Sequence, residues 1–165
     1  GSIWAYSEPG KGTTFKIYLP QTVTKPEPKT TADEKETAKG GGEHILVVED
    51  EDSLRNLIKE MLSRLGYRVT PAANGVEALL LMKEKGLKPH LVITDMVMPN
   101  MSGKELANRL QRIQPDLKVL YMSGYTDNAI VNHGILEPGT AFIQKPFTIR
   151  GLTEKVQAVL RGGHK

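Results

Sequence analysis

The chain has 165 residues, 39% hydrophobic and 25% charged, with no Cys and a formal net charge of +3. That length holds one full domain and a fragment of another, and the composition is ordinary for a globular chain. Without Cys, disulfides and thiolate metal sites are excluded, and no apolar run approaches the roughly 18 residues of a membrane span. Residues 44–165 hold the charge excess, sixteen Lys or Arg against thirteen acids, whereas residues 1–43 carry six of each. The bases are scattered, which argues against nucleic acid as a partner. No secretory leader is visible, so the cytoplasm is the expected compartment. Gly1-Ser2 reads either as a cloning scar or as native sequence.

Residues 1–20 read as two strands around a turn. Ile3-Trp4-Ala5-Tyr6 and Thr13-Thr14-Phe15-Lys16-Ile17-Tyr18-Leu19 are β-branched and aromatic, and Pro9-Gly10-Lys11-Gly12 between them is turn chemistry. A phosphate-binding loop is excluded, because Gly-Lys-Gly-Thr here lacks the spacing and precedes a strand rather than a helix. An isolated hairpin is marginal in water, so this piece reads as the end of a larger unit. The run Ser7-Glu8-Pro9-Gly10-Lys11-Gly12-Thr13-Thr14-Phe15-Lys16-Ile17-Tyr18-Leu19-Pro20 resembles the closing hairpin of the ATP-binding domain of sensor histidine kinases. The nucleotide-binding boxes of that family and its phosphoaccepting histidine lie upstream of the matched region. The resemblance implies a kinase parent, and a segment that by itself binds no ATP.

Residues 21–43 are rich in Thr, Lys, Glu, Pro and Gly and end in Gly40-Gly41-Gly42. Such composition buries too little surface to fold and is expected to be a flexible linker.

From His44 the pattern is regular. Ile45-Leu46-Val47-Val48 is a continuous apolar run, as a strand buried on both faces requires. Leu54, Leu57, Ile58, Met61, Leu62 and Leu65 follow at helical spacing, and Gly66 ends that helix. Tyr67-Arg68-Val69 is a weaker second strand. Asn74 with Glu77, and later Ser102 with Glu105, predict capping boxes for the next two helices. Leu91-Val92-Ile93-Thr94 is the third strand, running into Asp95. Val119-Leu120-Tyr121-Met122 is the fourth. A short helix is predicted over residues 128–132, and Ala141-Phe142-Ile143-Gln144 is the fifth strand. The last helix starts near Thr148 and buries Leu152, Val156, Val159 and Leu160.

Five strands alternating with five helices predict a flavodoxin-like α/β fold over residues 44–165, a doubly wound parallel sheet of order 2-1-3-4-5. Its active crevice lies at the carboxyl ends of the strands. Glu49 and Asp50 follow strand one, Asp95 ends strand three, Ser123 follows strand four, and Lys145 follows strand five. Three carboxylates meeting there repel one another unless a cation intervenes, and hard oxygen donors favour Mg²⁺. One carboxylate, Asp95, can then act as a nucleophile. Lys145 would neutralise a phosphoryl oxygen, and the Ser123 hydroxyl and backbone N–H groups after Asp95 would bind the others.

Each residue also has an ordinary reading. Glu49-Asp50-Glu51-Asp52 suits any helix start, Asp95 and Ser123 suit turns, and Lys145 suits a solvated surface. The four histidines show no metal spacing and are expected at the surface. The six methionines are expected in packing or loops.

The motifs Val47-Val48-Glu49-Asp50-Glu51, Thr94-Asp95-Met96-Val97-Met98-Pro99, Met122-Ser123-Gly124-Tyr125 and Lys145-Pro146-Phe147 together resemble the receiver domain of two-component response regulators. The resemblance implies that Asp95 is the phosphoacceptor, with Lys145 and Ser123 on the phosphoryl group. It implies a Mg²⁺ site of Glu49, Asp50, Asp95 and the Val97 backbone carbonyl, and phosphoryl-binding backbone at Met96, Val97 and Gly124. Ser123 and Phe142 take the switch positions, and Lys145-Pro146 takes the position of a cis bond. Glu49 stands where Asp is more usual, and Phe142 where Tyr is frequent. Val97 and Tyr125 flank the expected path of hydrolytic water.

A phosphoacceptor module at the end of a hybrid histidine kinase is therefore expected, taking its phosphoryl group from a phosphohistidine. With no output domain following, its partners would be the cognate kinase core or a histidine phosphotransfer protein. An aspartate-nucleophile hydrolase would want a second aspartate where Val97 stands. A phosphorylation-independent module regulating its own kinase core would not need the acidic pair, Ser123 and Lys145. The hairpin has three fates open: disorder, packing on the receiver, or pairing with a second chain as a homodimer.

Overall fold

The computed structural model describes residues 1–20, 40–124 and 140–162. The chain divides into two units, Gly1–Lys35 and Glu36–Lys165. The predicted helix over 128–132, Tyr125, His133 and His164 fall outside the described residues, as does most of the predicted linker.

In the first unit β1 (Ser2–Glu8) and β2 (Gly12–Tyr18) pair antiparallel, Ile3 against Ile17 and Ala5 against Phe15. Alternation puts Ile3, Phe15 and Ile17 on one face and Trp4, Tyr6 and Tyr18 on the other. Both faces are apolar, and both are open: Trp4 is 68% exposed and Phe15 63%.

In the second unit the elements run β3 (His44–Val48), α1 (Asp52–Arg64), β4 (Arg68–Ala72), α2 (Gly75–Lys83), β5 (Leu91–Asp95), α3 (Gly103–Ile113), β6 (Lys118–Ser123), β7 (Phe142–Gln144) and α4 (Ile149–Leu160). The five strands β3 to β7 form one parallel sheet in the order β4-β3-β5-β6-β7. Counted from β3, this is the predicted order 2-1-3-4-5.

The apolar runs divide by the strand period of two. Ile45, Val47, Leu91, Ile93, Leu120 and Met122 face α1 and α4, meeting Ile58, Leu62, Leu152, Val156 and Val159. Leu46, Val48 and Val92 face α2 and α3, meeting Ala78, Met82, Leu106 and Leu110. Each fully buried Leu or Ile contributes about 1.5–3 kcal/mol by leaving water, so both faces anchor the strands firmly. The N-cap half of each predicted capping box forms, but the return bond does not: Glu77 Oε2 accepts from Ala73 N–H rather than from Asn74 N–H, and Glu105 pairs with Arg109. The side chains of Asn74, Ser102 and Thr148 accept from the N–H of Glu77, Glu105 and Gly151. At the end of α1, Gly66 takes φ 90°, and the N–H groups of Gly66 and Tyr67 donate to Ser63 and Leu62. That double bond is the C-cap that glycine permits.

Three local expectations shift. The second strand runs from Arg68 through Pro71 to Ala72, beyond the predicted Tyr67-Arg68-Val69. It is an edge strand, where a missing N–H is tolerated. Leu57 belongs to the helical stripe of α1 yet is 46% exposed, because that stripe is wider than the contact with the sheet. Gly40 to Glu43, predicted as linker, bond to β4 and the end of α1 within the second unit: Gly40 N–H donates to the Leu65 carbonyl and Arg68 N–H to the Glu43 carbonyl.

Candidate functional site

Parallel register brings the candidate residues to one edge. Val48 pairs with Thr94, so Glu49 and Asp95 emerge side by side. Asp95 pairs with Met122, which sets Ser123 one residue beyond. Ser123 pairs with Gln144, so Lys145 follows at the next position. Crossovers on both faces lead away from this edge, leaving the carboxyl ends of β3 and β5 open between them.

The Lys145 ammonium donates to Glu49 Oε2 and to Asp95 Oδ2, both at 2.8 Å. Glu49 is 1% exposed. Burial pushes its carboxyl above the usual range, with Asp95 adding to the rise, while Lys145 holds it partly down. Burial alone would lower the Lys145 value, but the bonds and charges of Asp95 and Glu49 outweigh it, and the ammonium is held above its ordinary value. Lys145 therefore stays charged at neutral pH. Asp50 is exposed, and oxygen atoms of Glu49, Asp50 and Asp95 lie within 4.8 Å of one another. One lysine cannot balance three such carboxylates. Their hard oxygen donors, open to solvent on the Asp50 side, fit a divalent cation such as Mg²⁺.

The backbone after Asp95 divides its donors. Val97 N–H donates to Asp95 Oδ1 at 3.3 Å. Met96 N–H, predicted to bind phosphoryl oxygen, donates instead to Met122 carbonyl at 2.9 Å. Its amide continues the ladder for one residue, so the Val97 amide is the one that faces the carboxylate. Ser123 is buried, and its carbonyl accepts from Lys145 N–H at 2.7 Å. Gly124 is exposed at the end of β6. Phe142 is half-buried beside Met96, Ala107 and Tyr121, with Lys155 Nζ 5.9 Å from its ring centre. The Lys145-Pro146 bond is cis.

Two features of the site were not signalled as site residues. Arg55 donates from its guanidinium to the Glu49 carbonyl at 2.7 Å. A base in the first turn of a helix opposes the helix dipole, and that mismatch was the available signal. Gly103 opens α3 directly under the Asp95 loop: its N–H donates to Met96 carbonyl at 3.0 Å, and a Cβ there would lie 2.1 Å from Asp95 carbonyl oxygen. Gly103→Ala is therefore expected to destabilise the fold by about 1–3 kcal/mol. Helix propensity alone would predict a gain of up to about 1 kcal/mol. Urea unfolding of the two chains reads the sign directly.

Of the histidines, His90 is exposed, but His44 departs from the surface expectation. It is half-buried, its Nε2 shares a 2.7 Å hydrogen bond with Thr70 Oγ1, and burial lowers its pKa with Arg68 and His90 adding to the effect. Met82, Met96, Met98, Met101 and Met122 are buried as packing residues.

A parallel α/β sheet that gathers acids, a hydroxyl residue and a paired lysine at its carboxyl edge defines a phosphoacceptor domain in class. The response regulator receiver domain family matches residues 45–157. Over 170 aligned residues the chain is 38% identical to the sensor kinase CckA of Brucella abortus, covering 97% of this chain and 18% of that protein. A crystal structure of the receiver domain from the hybrid histidine kinase CckA superposes with a TM-score of 0.60 at 34% identity, over 71% of this chain and 98% of that one. The response regulator TrrA of Thermotoga maritima, crystallised with Mg²⁺ and BeF, superposes with a TM-score of 0.58 at 33% identity, over 71% of this chain and 98% of that one. The chain belongs to the response regulator receiver domain family. Its role is that of a phosphoacceptor in two-component signalling. Among the described residues no helix is long and apolar enough to cross a membrane.

Proposed function

We propose that Asp95 takes the phosphoryl group from a phosphohistidine, and that the resulting acyl phosphate is the signalling state. The observation that carries this reading is the Lys145 ammonium, 2.8 Å from both Asp95 and buried Glu49, beside an acidic trio. A carboxylate oxygen of Asp95 bonds to phosphorus as the phosphorus–nitrogen bond of the donor breaks, and that electron pair stays on the imidazole nitrogen. Lys145, the Ser123 hydroxyl and the N–H groups of Val97 and Gly124 bind the phosphoryl oxygens. Glu49, Asp50, Asp95 and the Val97 carbonyl would hold Mg²⁺. When bound, that ion supplies the positive charge that lets crowded carboxylates meet an anionic phosphoryl group. Such transfers depend on positioning and charge stabilisation more than on covalent chemistry by the protein. Ser123 drawn toward the phosphate and Phe142 turning inward would carry the signal to a partner.

Residues 1–20 fit the closing hairpin of an upstream ATP-binding domain, and residues 44–165 the receiver, onto which Gly40 to Glu43 of the intervening segment bond. The 38% identity to CckA covers 97% of this chain and so extends into the hairpin. The hairpin's apolar faces then belong against the rest of that domain. A hybrid histidine kinase in the cytoplasm is the parent this implies, with its own kinase core or a histidine phosphotransfer protein as the donor. The open hairpin edges also offer pairing with a second chain, and sedimentation as a monomer would rule that out.

The test is intact mass after incubation with acetyl phosphate and Mg²⁺. One phosphoryl adduct, lost when Mg²⁺ is omitted, supports the reading. No adduct under any condition overturns it and leaves a receiver-like binding module.

A further inference from the structure

Four acids in succession, Glu49 to Asp52, follow β3. The site needs Glu49 and Asp50 turned toward Asp95, and mutual repulsion opposes that arrangement. Lys145 restrains the Glu49 side chain from one end. The main chain of the same turn is restrained from the other end by Arg55. Its Nη1 donates to the Glu49 carbonyl at 2.7 Å, its Nη2 donates to the Asp52 carboxylate, and its backbone N–H donates to the Glu51 carbonyl at 2.9 Å. The Arg55 side chain is only 14% exposed, while that of its partner Asp52 is largely in solvent.

Glu49 N–H donates to Ala72 carbonyl at 3.2 Å. Both backbone groups of Glu49 are thus committed, one to the sheet and one to the guanidinium. This matters more for Glu49 than for an aspartate. The longer side chain has an extra rotatable bond, so its carboxylate is placed well only if its backbone is fixed. No side chain caps the start of α1, where the N-cap residue is Glu51. Arg55 sits there against the helix dipole, and its planar fork makes two bonds at fixed angles that an ammonium cannot reproduce.

We propose that Arg55 is a positioning residue, locking the Glu49 to Asp52 turn so that Glu49 and Asp50 present their carboxylates to the divalent cation. This rests on the phosphoacceptor reading above.

The test is a calorimetric titration of MgCl₂ alone into the full chain. The parent is compared with Arg55→Ala, Arg55→Lys and Arg64→Ala, the last removing an exposed arginine that bridges Glu60 on the same helix. Arg55→Ala should weaken Mg²⁺ binding about tenfold, the scale seen when a group orienting a metal ligand is lost. Arg55→Lys should recover only part of it, and Arg64→Ala should bind as the parent does. In acetyl phosphate labelling, Arg55→Ala should need more Mg²⁺ for half-maximal rate while its rate at saturating Mg²⁺ stays close to the parent's. Parent-like Mg²⁺ affinity in a folded Arg55→Ala chain overturns the proposal. So does full rescue by Arg55→Lys, which would make charge alone sufficient. If Arg55→Ala does not fold, Asp52→Asn releases one arm of the fork: a weakened affinity supports the proposal and an unchanged one overturns it. A parent chain that takes neither Mg²⁺ nor a phosphoryl group defeats the phosphoacceptor reading itself, before any variant is compared.

Discussion

Asp95→Asn is expected to take up no phosphoryl group under conditions in which the parent takes one. The substitution keeps the shape of the side chain and removes its nucleophilic, charged oxygen. Stability is expected to move by about 1 kcal/mol or less. The lost contact with Lys145 is offset by relief of repulsion with Glu49 and Asp50, whose oxygen atoms lie within 4.8 Å of those of Asp95. Loss of label with an unchanged urea midpoint therefore separates chemistry from folding. An adduct that survives in Asp95→Asn would point to a different acceptor and sink the assignment. Mg²⁺ affinity should fall as well, because a ligand of the trio has become neutral.

Lys145→Met is the second large effect, and it acts on both chemistry and stability. Transfer to Asp95 should slow by about 10²–10³-fold, the usual consequence of deleting a charge aimed at the reacting group. The parent fold should lose on the order of 3 kcal/mol near neutral pH, because Glu49 is left buried without its cation. Lys145 keeps some solvent contact, which places the loss at the lower end of that class. The pH dependence has a definite sign. Glu49 titrates above an ordinary carboxyl in the folded chain, burial being the main cause. A carboxyl raised on folding disfavours the fold when ionised, so stability declines as pH rises from its unfolded value through its folded one. Removing Lys145 pushes the folded value further up and widens that window. Lys145 itself is raised on folding, so its contribution is present below the ordinary lysine value and fades as pH climbs through the folded one. Urea unfolding in metal-free buffer should show parent and variant closest in acid and furthest apart near neutrality. An equal gap at both ends would mean that Glu49 is not the group left exposed to the loss.

Local features were readable because their causes are local. Ile45 to Val48 and Leu91 to Thr94 are too apolar and too short for anything but buried strands. Asn74, Ser102, Thr148 and Gly66 mark helix ends through bonds spanning only a few residues. The site followed from them, since strand order and parallel register carry Glu49, Asp95, Ser123 and Lys145 to one edge. Where the reading stopped, the deciding contact was distant in the chain. Nothing near Met96 announces that its N–H will be taken by Met122. Nothing near His44 announces Thr70. Leu57 carries the same helical spacing as Ile58, and only the position of the sheet under α1 tells the exposed one from the buried one.

The residues alone determine the class of fold, the acidic, hydroxyl and basic chemistry at the strand ends, and the candidate nucleophile. They do so because periodicity, capping and turn chemistry are short-range, and because a parallel sheet of this order has its crevice in one place. Folding in three dimensions decides the rest. It bridges Lys145 to both Glu49 and Asp95, seats Gly103 against the Asp95 carbonyl, and closes the guanidinium of Arg55 on the Glu49 backbone. The Lys145 contacts join residues far apart in sequence, the Gly103 contact depends on how the loop after β5 returns into α3, and the Arg55 contact on how α1 leaves β3. Such contacts follow from packing at ångström precision, which no pattern of residue types encodes.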